Sequence, residues 1–185
     1  EAQGALVAFD TGPGNALIDD FLRLRLGRDF DAEGAVAAEG RVDAGALAAL
    51  AGHPHLLRPP PKSLHRNDFH RFLERVAHLS TEDGAATLSA LTAACVAEAA
   101  RWFPEPPERL LVCGGGRLNR TLMAMLGAKT NAPVQPVEAV GLDGDLLEAQ
   151  AFGYLAVRVL RGLPTSAPST TGARLPVCGG RISRP

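Results

Sequence analysis

Cysteine is scarce in this chain: three in 185 residues, at positions 95, 113 and 178, an odd number without regular spacing. That excludes a disulfide framework and fits a reducing, cytoplasmic setting. An excess of one charge is also missing. The formal net charge is -1, whereas nucleic acid and anionic membranes select basic surfaces, so neither is expected as the main partner. No run of about 18 unbroken apolar residues occurs, and no charged-then-apolar leader, so neither a transmembrane helix nor a signal peptide is expected. Internal repeats and low-complexity segments are lacking too. The five histidines (His53, His55, His65, His70 and His78) are scattered without an H-E-x-x-H pairing, so they read as surface or loop residues and leave any metal ligand unknown.

What remains is ordinary for a soluble globular protein, 46% apolar and 21% charged, with length enough for one good core or a two-layer domain with appendages. The first residue is Glu1 and not Met, and a strand-like run, Ala5 to Phe9, follows almost at once. The chain therefore reads as a piece of a longer protein.

Residues 16–26 place Leu17, Phe21 and Leu24 at helical spacing, with Gly27 as the stop. Asp43 is placed to cap a short helix that ends before Gly52 and Pro54. The segment LLRPPPKSLHR cannot be helical, because its prolines remove donors and fix φ; Lys62 and Arg66 within it read as solvated charges. Asn67 is the expected cap of the next helix. The longest helix spans about Gly84 to Phe103, with Leu88, Leu91, Cys95, Ala99 and Trp102 as its apolar stripe and Pro104 as its stop. After it come a strand into a glycine turn (ERLLVCGGG), a helix, a second short strand (APVQPVEAV) and a helix from Leu146 to Gly162. This alternation predicts an α/β layer with parallel pairing. The turn-rich tail is expected to return as an edge strand.

Three places carry candidate chemistry. In Asp10-Thr11-Gly12-Pro13-Gly14-Asn15, glycines after a strand let backbone N–H groups approach a phosphate, and a helix N-terminus follows. Asp10 is suited to be a general base or metal partner there; the alternative is a strand-to-helix turn with local hydrogen bonds. Cys113-Gly114-Gly115-Gly116-Arg117-Leu118-Asn119 opens a helix from the C-terminal end of a strand, where nucleotides bind in α/β folds. It is neither a Walker A loop nor a GxGxxG fingerprint; the alternative is that the glycines serve tight strand–helix packing. Cys113 reads as a small buried hydrophobe. Glu148 shares a helical face with Phe152, Leu155 and Val159, so it is either a carboxylate open to a cleft or a first-turn residue stabilising the helix dipole. Asp145 is the expected cap of that helix.

Taken in order, FDTGPGNALID, RPPPKSLHRNDF, ATLSALTA, LVCGGGRLN and GLDGDLLEAQAFGYLA, with Thr171 to Ala173 after them, resemble the anhydro-N-acetylmuramic acid kinases. The resemblance covers nearly the whole chain. It implies the sugar kinase, heat-shock chaperone and actin superfamily, whose members have two α/β domains around a nucleotide cleft. The expected fold class is thus α/β, the C-terminal domain of the ribonuclease H-like, actin/hexokinase-type ATPase fold, with a mixed sheet flanked by helices. Residues 1–185 would be that domain, and the family's N-terminal phosphate loop, G-T-S-x-D-G-x-D, has no counterpart here.

The activity implied is a double one, in bacterial cell-wall recycling. Water opens the 1,6-anhydro ring of the muramic acid sugar while ATP, accompanied by Mg²⁺, phosphorylates the O6 released. By the resemblance, Asp10 is the catalytic base and Gly12, Gly14 and Asn15 lie near the transferring phosphate. Gly114, Gly115, Gly116 and Asn119 match the nucleotide motif, and Glu148 matches the sugar-contacting glutamate. The resemblance also implies a homodimer, a requirement for the other domain, and little activity for this half alone. The family pattern T-G-R-E after PPKS is replaced here by Leu64, His65, Arg66 and Asn67. Two other readings compete: a non-catalytic nucleotide-binding or interaction module of the same fold, and a thiol enzyme using Cys113.

Overall fold

A computed structural model describes residues 6–183, apart from the side chain of Arg66. Eleven labelled elements follow in chain order: α1 (Ala16–Leu26), α2 (Ala35–Ala38), α3 (Ala44–Ala48), α4 (Pro54–Leu57), α5 (Arg71–Val76), α6 (Thr81–Ala99), β1 (Leu110–Val112), α7 (Arg120–Lys129), β2 (Val134–Pro136), α8 (Leu147–Leu160) and α9 (Pro168–Thr171). Short 3₁₀ turns link several of them. No helix among the described residues is long and apolar enough to cross a membrane.

Helix α6 is the spine. Ser80 Oγ accepts the Asp83 amide at 3.0 Å, and Glu82 and Asp83 lie in the first turn, where the helix dipole favours negative charge. Every residue from Gly84 to Ala93 is buried, so this helix is covered on all sides. Small residues make the close approach possible: a Cβ on Gly84 would fall 2.3 Å from the Phe21 ring. One core packs α1, α2, α3 and α5 against α6 through Leu17, Phe21, Phe69, Val76, Leu88 and Leu91. A second, smaller cluster joins Ala93 to Leu122 and Leu126 of α7, with Val112 and Val134 against it.

The sheet is a two-stranded parallel ladder pairing Leu110 with Val134 and Val112 with Pro136, and α7 makes the crossover. The strand–helix–strand expectation therefore holds, although the sheet among the described residues is parallel and not mixed. The run Ala5–Phe9 forms no ladder in its described part, residues 6–9, and Ala5 lies outside the described residues. The Asp10 amide instead donates to the Lys62 carbonyl at 3.1 Å.

Several expected details change. Leu24 is 77% exposed and not part of the core. Asn67 does not cap: His65 Nδ1 accepts the Asn67 amide and Asp68 bonds back to the His65 amide, a reciprocal box that starts a 3₁₀ turn before α5. Asp43 does cap α3, accepting from the Ala46 amide at 2.6 Å. Helix α6 yields to a 3₁₀ turn at Ala100–Trp102, and Trp102 is half-buried. Among the described residues the tail forms no edge strand; it is tied by the Thr165 amide to the Val177 carbonyl at 2.9 Å.

Candidate functional site

The turn between residue 10 and α1 is shaped by contact with α6. A Cβ on Gly12 would sit 2.5 Å from the Cys95 Cβ, so only glycine lets the backbone lie on the helix. Gly14 has φ +59, with open space around it. Thr92 Oγ1 donates to the Gly14 carbonyl at 2.8 Å and ties the turn down.

Asp10 is exposed at the start of this turn. It is held three ways by one loop: its amide by the Lys62 carbonyl, its carbonyl by His55 Nε2 at 2.7 Å, and its Oδ2 by the Leu64 amide at 2.7 Å. A carbonyl oxygen only accepts, so the His55 bond requires the tautomer protonated at Nε2. The carboxylate lines an open depression of about 220 Å³ with Gly12, Pro13, Leu64, His65 and Phe69.

The second glycine loop lies beside the other end of the turn. Gly114 takes φ +66 and ψ -172, a region essentially reserved for glycine. Cβ atoms on Gly115 and Gly116 would stand 3.8 and 3.5 Å from the Asn15 amide group. Asn15 thus bridges two spaces. One, of about 460 Å³, is lined by Gly14, Thr92, Val112, Cys113 and Gly116; the other, of about 210 Å³, by Asp31, Gly115 and Asn119. Asn119 is buried and caps α7, accepting from the Leu122 amide at 2.8 Å.

The family model for anhydro-N-acetylmuramic acid kinase matches residues 2–184. The chain belongs to that family. It is 56% identical over 185 residues to the anhydro-N-acetylmuramic acid kinase of Ruegeria sp. (strain TM1040), covering 100% of this chain and 49% of that protein. It is 59% identical over 174 residues to that of Rhodospirillum rubrum, covering 94% of this chain and 46% of the relative. The match to that of Cereibacter sphaeroides is 59% over 185 residues, all of this chain and 50% of the relative. The chain spans about half the length of the curated relatives it matches.

Within this kinase-family chain, Glu148 stands apart from the two loops. It is exposed on the first turn of α8, and none of the cavities that Asp10, Asn15 or Gly116 line has it in their walls. The expected core-facing stripe of that helix is open: α8 buries no residue, and Phe152 is 65% exposed. Asp145 does not cap it. Asp143 accepts the amides of Asp145 and Leu146, while Asp145 turns to Arg117. Among the described residues no group of three His, Cys, Asp or Glu side chains is arranged to hold a metal ion. The Mg²⁺ expected with ATP thus meets no side-chain cage among the described residues.

Three residues beside the site take parts that local sequence pattern does not show. Arg117 lashes the glycine loop to the GLDGD turn, donating to Glu138 at 2.7 Å, Asp145 at 2.9 Å and the Gly114 carbonyl at 3.0 Å. These bonds push its guanidinium further up and hold both carboxyls below their usual range. Lys62 is buried and not solvated, and His55 is buried and not superficial. His53 stacks on Phe69 with centroids 4.4 Å apart, and burial, with a contribution from His55, lowers its pKa. Conversely, Cys113 is exposed while Cys95 is buried. Among the described residues strand β1 pairs on one side only, and its Leu111 is 37% exposed, so neighbours do not enclose Cys113. The P-P-P-K run beside a histidine was the available signal for Lys62, but proline runs show no period from which to read burial.

Proposed function

We propose that this chain is the C-terminal half of an ATP-dependent anhydro-N-acetylmuramic acid kinase. In this reading it carries the base and part of the nucleotide site, while the other half of the cleft belongs to an N-terminal domain of the actin/hexokinase type. The observation that carries the reading is the meeting of the 10–15 turn with the 113–119 loop at Asn15. Two glycine-rich turns from distant sequence face shared space, and a carboxylate stands at the far end of one of them. This suits a phosphoryl donor laid along the loops, where positioning and electrostatics supply most of the catalysis.

Asp10 takes a proton from water as its oxygen bonds to the anomeric carbon of 1,6-anhydro-N-acetylmuramic acid, and the bond from that carbon to O6 breaks. The freed O6 attacks the γ-phosphorus of ATP and ADP leaves, giving N-acetylmuramic acid 6-phosphate. Leu64 holds Oδ2 of Asp10, leaving Oδ1 for the water, which must lie within about 2.6–3.2 Å. Gly12, Gly14 and Asn15 serve the transferring phosphate, and Gly114, Gly115, Gly116 and Asn119 serve the nucleotide. Glu148 contacts the sugar once the domains close, which accounts for its open position. The complete enzyme is a cytoplasmic homodimer in this reading.

The test joins this chain to the N-terminal half of the Ruegeria relative and follows ADP release. Release should require the anhydro sugar, and Asp10→Asn should lower it by roughly 10²–10⁴-fold, the range of general-base contributions. ATP binding without sugar-dependent turnover would leave only a nucleotide-binding module.

A further inference from the structure

Lys62 is a buried cation for which the reaction above has no use. It is 7% exposed. Its Nζ donates to the His55 carbonyl at 2.9 Å and stands 5.4 Å from the Phe9 ring centroid and 5.5 Å from that of Trp102. Among the described residues no carboxylate pairs with it, and the nearby charges that act on it, Arg101 and Arg58, are both positive. Burying an unpaired ammonium is unfavourable, and two aromatic faces with one carbonyl offset only part of that. Burial first, then Arg101 and Arg58, accordingly lowers its pKa.

What the cation holds together is the mount of Asp10. The segment from His55 to Leu64 touches Asp10 at three atoms, through His55 Nε2, the Lys62 carbonyl and the Leu64 amide. The Lys62 side chain closes this segment on itself by reaching back to His55. It also presses on Phe9, the residue before Asp10. The prolines at 59, 60 and 61 between the two ends have no amide hydrogen with which to bond the loop, so the lysine supplies the cross-link that their backbone cannot.

We infer that Lys62, acting through His55, is a positioning residue that sets the Asp10 carboxylate in its depression; this rests on the reading of Asp10 as the base. The lysine touches no reacting atom. Its removal leaves Asp10 present but free to shift with the 55–64 loop, and a misplaced reacting group loses rate without losing nucleotide affinity.

The fused protein described above provides the test. Lys62→Met keeps the apolar stem and deletes the charge. Its kcat should fall on the order of 10²-fold, the scale of a displacement of about 1 Å, with the KM for ATP unchanged. His55→Leu should show the same split, and His55→Gln, whose amide nitrogen can donate where Nε2 does, should recover most of kcat. That recovery separates positioning from mere stability, and it decides the matter if Lys62→Met does not fold. Wild-type kcat in a folded Lys62→Met, equal failure of His55→Gln and His55→Leu, or a rise in KM matching the loss in kcat would overturn the strap while Asp10→Asn stays inactive. An active Asp10→Asn would overturn the reading of the base itself.

Discussion

Gly12 and Cys95 lie so close that a Cβ on the glycine would fall 2.5 Å from the cysteine Cβ and 2.7 Å from its Sγ. The turn that carries Asp10 is therefore seated directly on the central helix, and Cys95 is fully buried beneath it. Gly12→Ala should destabilise the protein by about 1–3 kcal/mol, the usual range for overpacking a tight site. Denaturant titration of the fused protein would measure it. Cys95→Gly in the same molecule should recover part of the loss by making room, and no recovery would mean that the strain lies elsewhere.

The thiols should separate in the same way. Burial, reinforced by Glu98, pushes Cys95 up to about 12 from 9.0, although Lys62 opposes this. Cys113 and Cys178 are exposed. A disulfide reagent should label those two quickly and Cys95 only on unfolding. The pH dependence has a definite sign. A thiol whose folded pKa is raised contributes stability that is complete below the unfolded value of 9.0 and is lost as pH rises toward 12. Melting temperatures followed across that alkaline window should fall less steeply in Cys95→Ala than in the parent.

Arg117 offers a test of the glycine loop. Its planar fork joins Glu138, Asp145 and the Gly114 carbonyl, a geometry that a lysine ammonium does not reproduce. Arg117→Lys and Arg117→Ala should both raise the KM for ATP by on the order of tenfold, with a smaller effect on kcat. Gly114→Ala should act on the same constant, since its φ of +66 with ψ -172 strains any side chain by roughly 1–3 kcal/mol. Steady-state kinetics with ATP varied would check both.

Asp31 is buried and holds α2, with Oδ1 accepting the Val36 amide at 2.9 Å and Oδ2 the Ala37 amide at 3.0 Å. Asp31→Ala leaves both donors without a partner and should cost about 1–2 kcal/mol, as for the loss of a helix cap. Asp31→Asn, which keeps one accepting oxygen, should lose less. Thermal unfolding of the pair would show the order.

Much of the site was legible from local pattern. The glycine-rich turn before α1 and the glycines before α7 were visible as turns opening helices, because glycines between an apolar run and a helical period mark a turn. Asp31 and Arg117 were not, since a lone Asp or Arg in a loop looks alike whether it is solvated or makes three bonds. On α8 the helix was legible, but the core-facing stripe expected on it was not found, for a related reason. Helical spacing shows which residues share a face, but not whether anything covers it, and the Glu148 face is open among the described residues.

Local pattern alone specifies α1 with its Gly27 stop, the Asp43 cap, the long α6 and the β1–α7–β2 crossover. Each depends on periodicity, capping or chain breaking within a few residues, and the ordered motifs carried the family. Only the tertiary structure decided that Lys62 and His55 are buried, that Cys113 is open, and that Asp10 hangs from one loop. The His55 and Leu64 bonds to Asp10 join residues 45 and 54 positions apart. Burial and hydrogen bonding over such separations are set by how α6 brings the segments together, and no short stretch of sequence records that meeting.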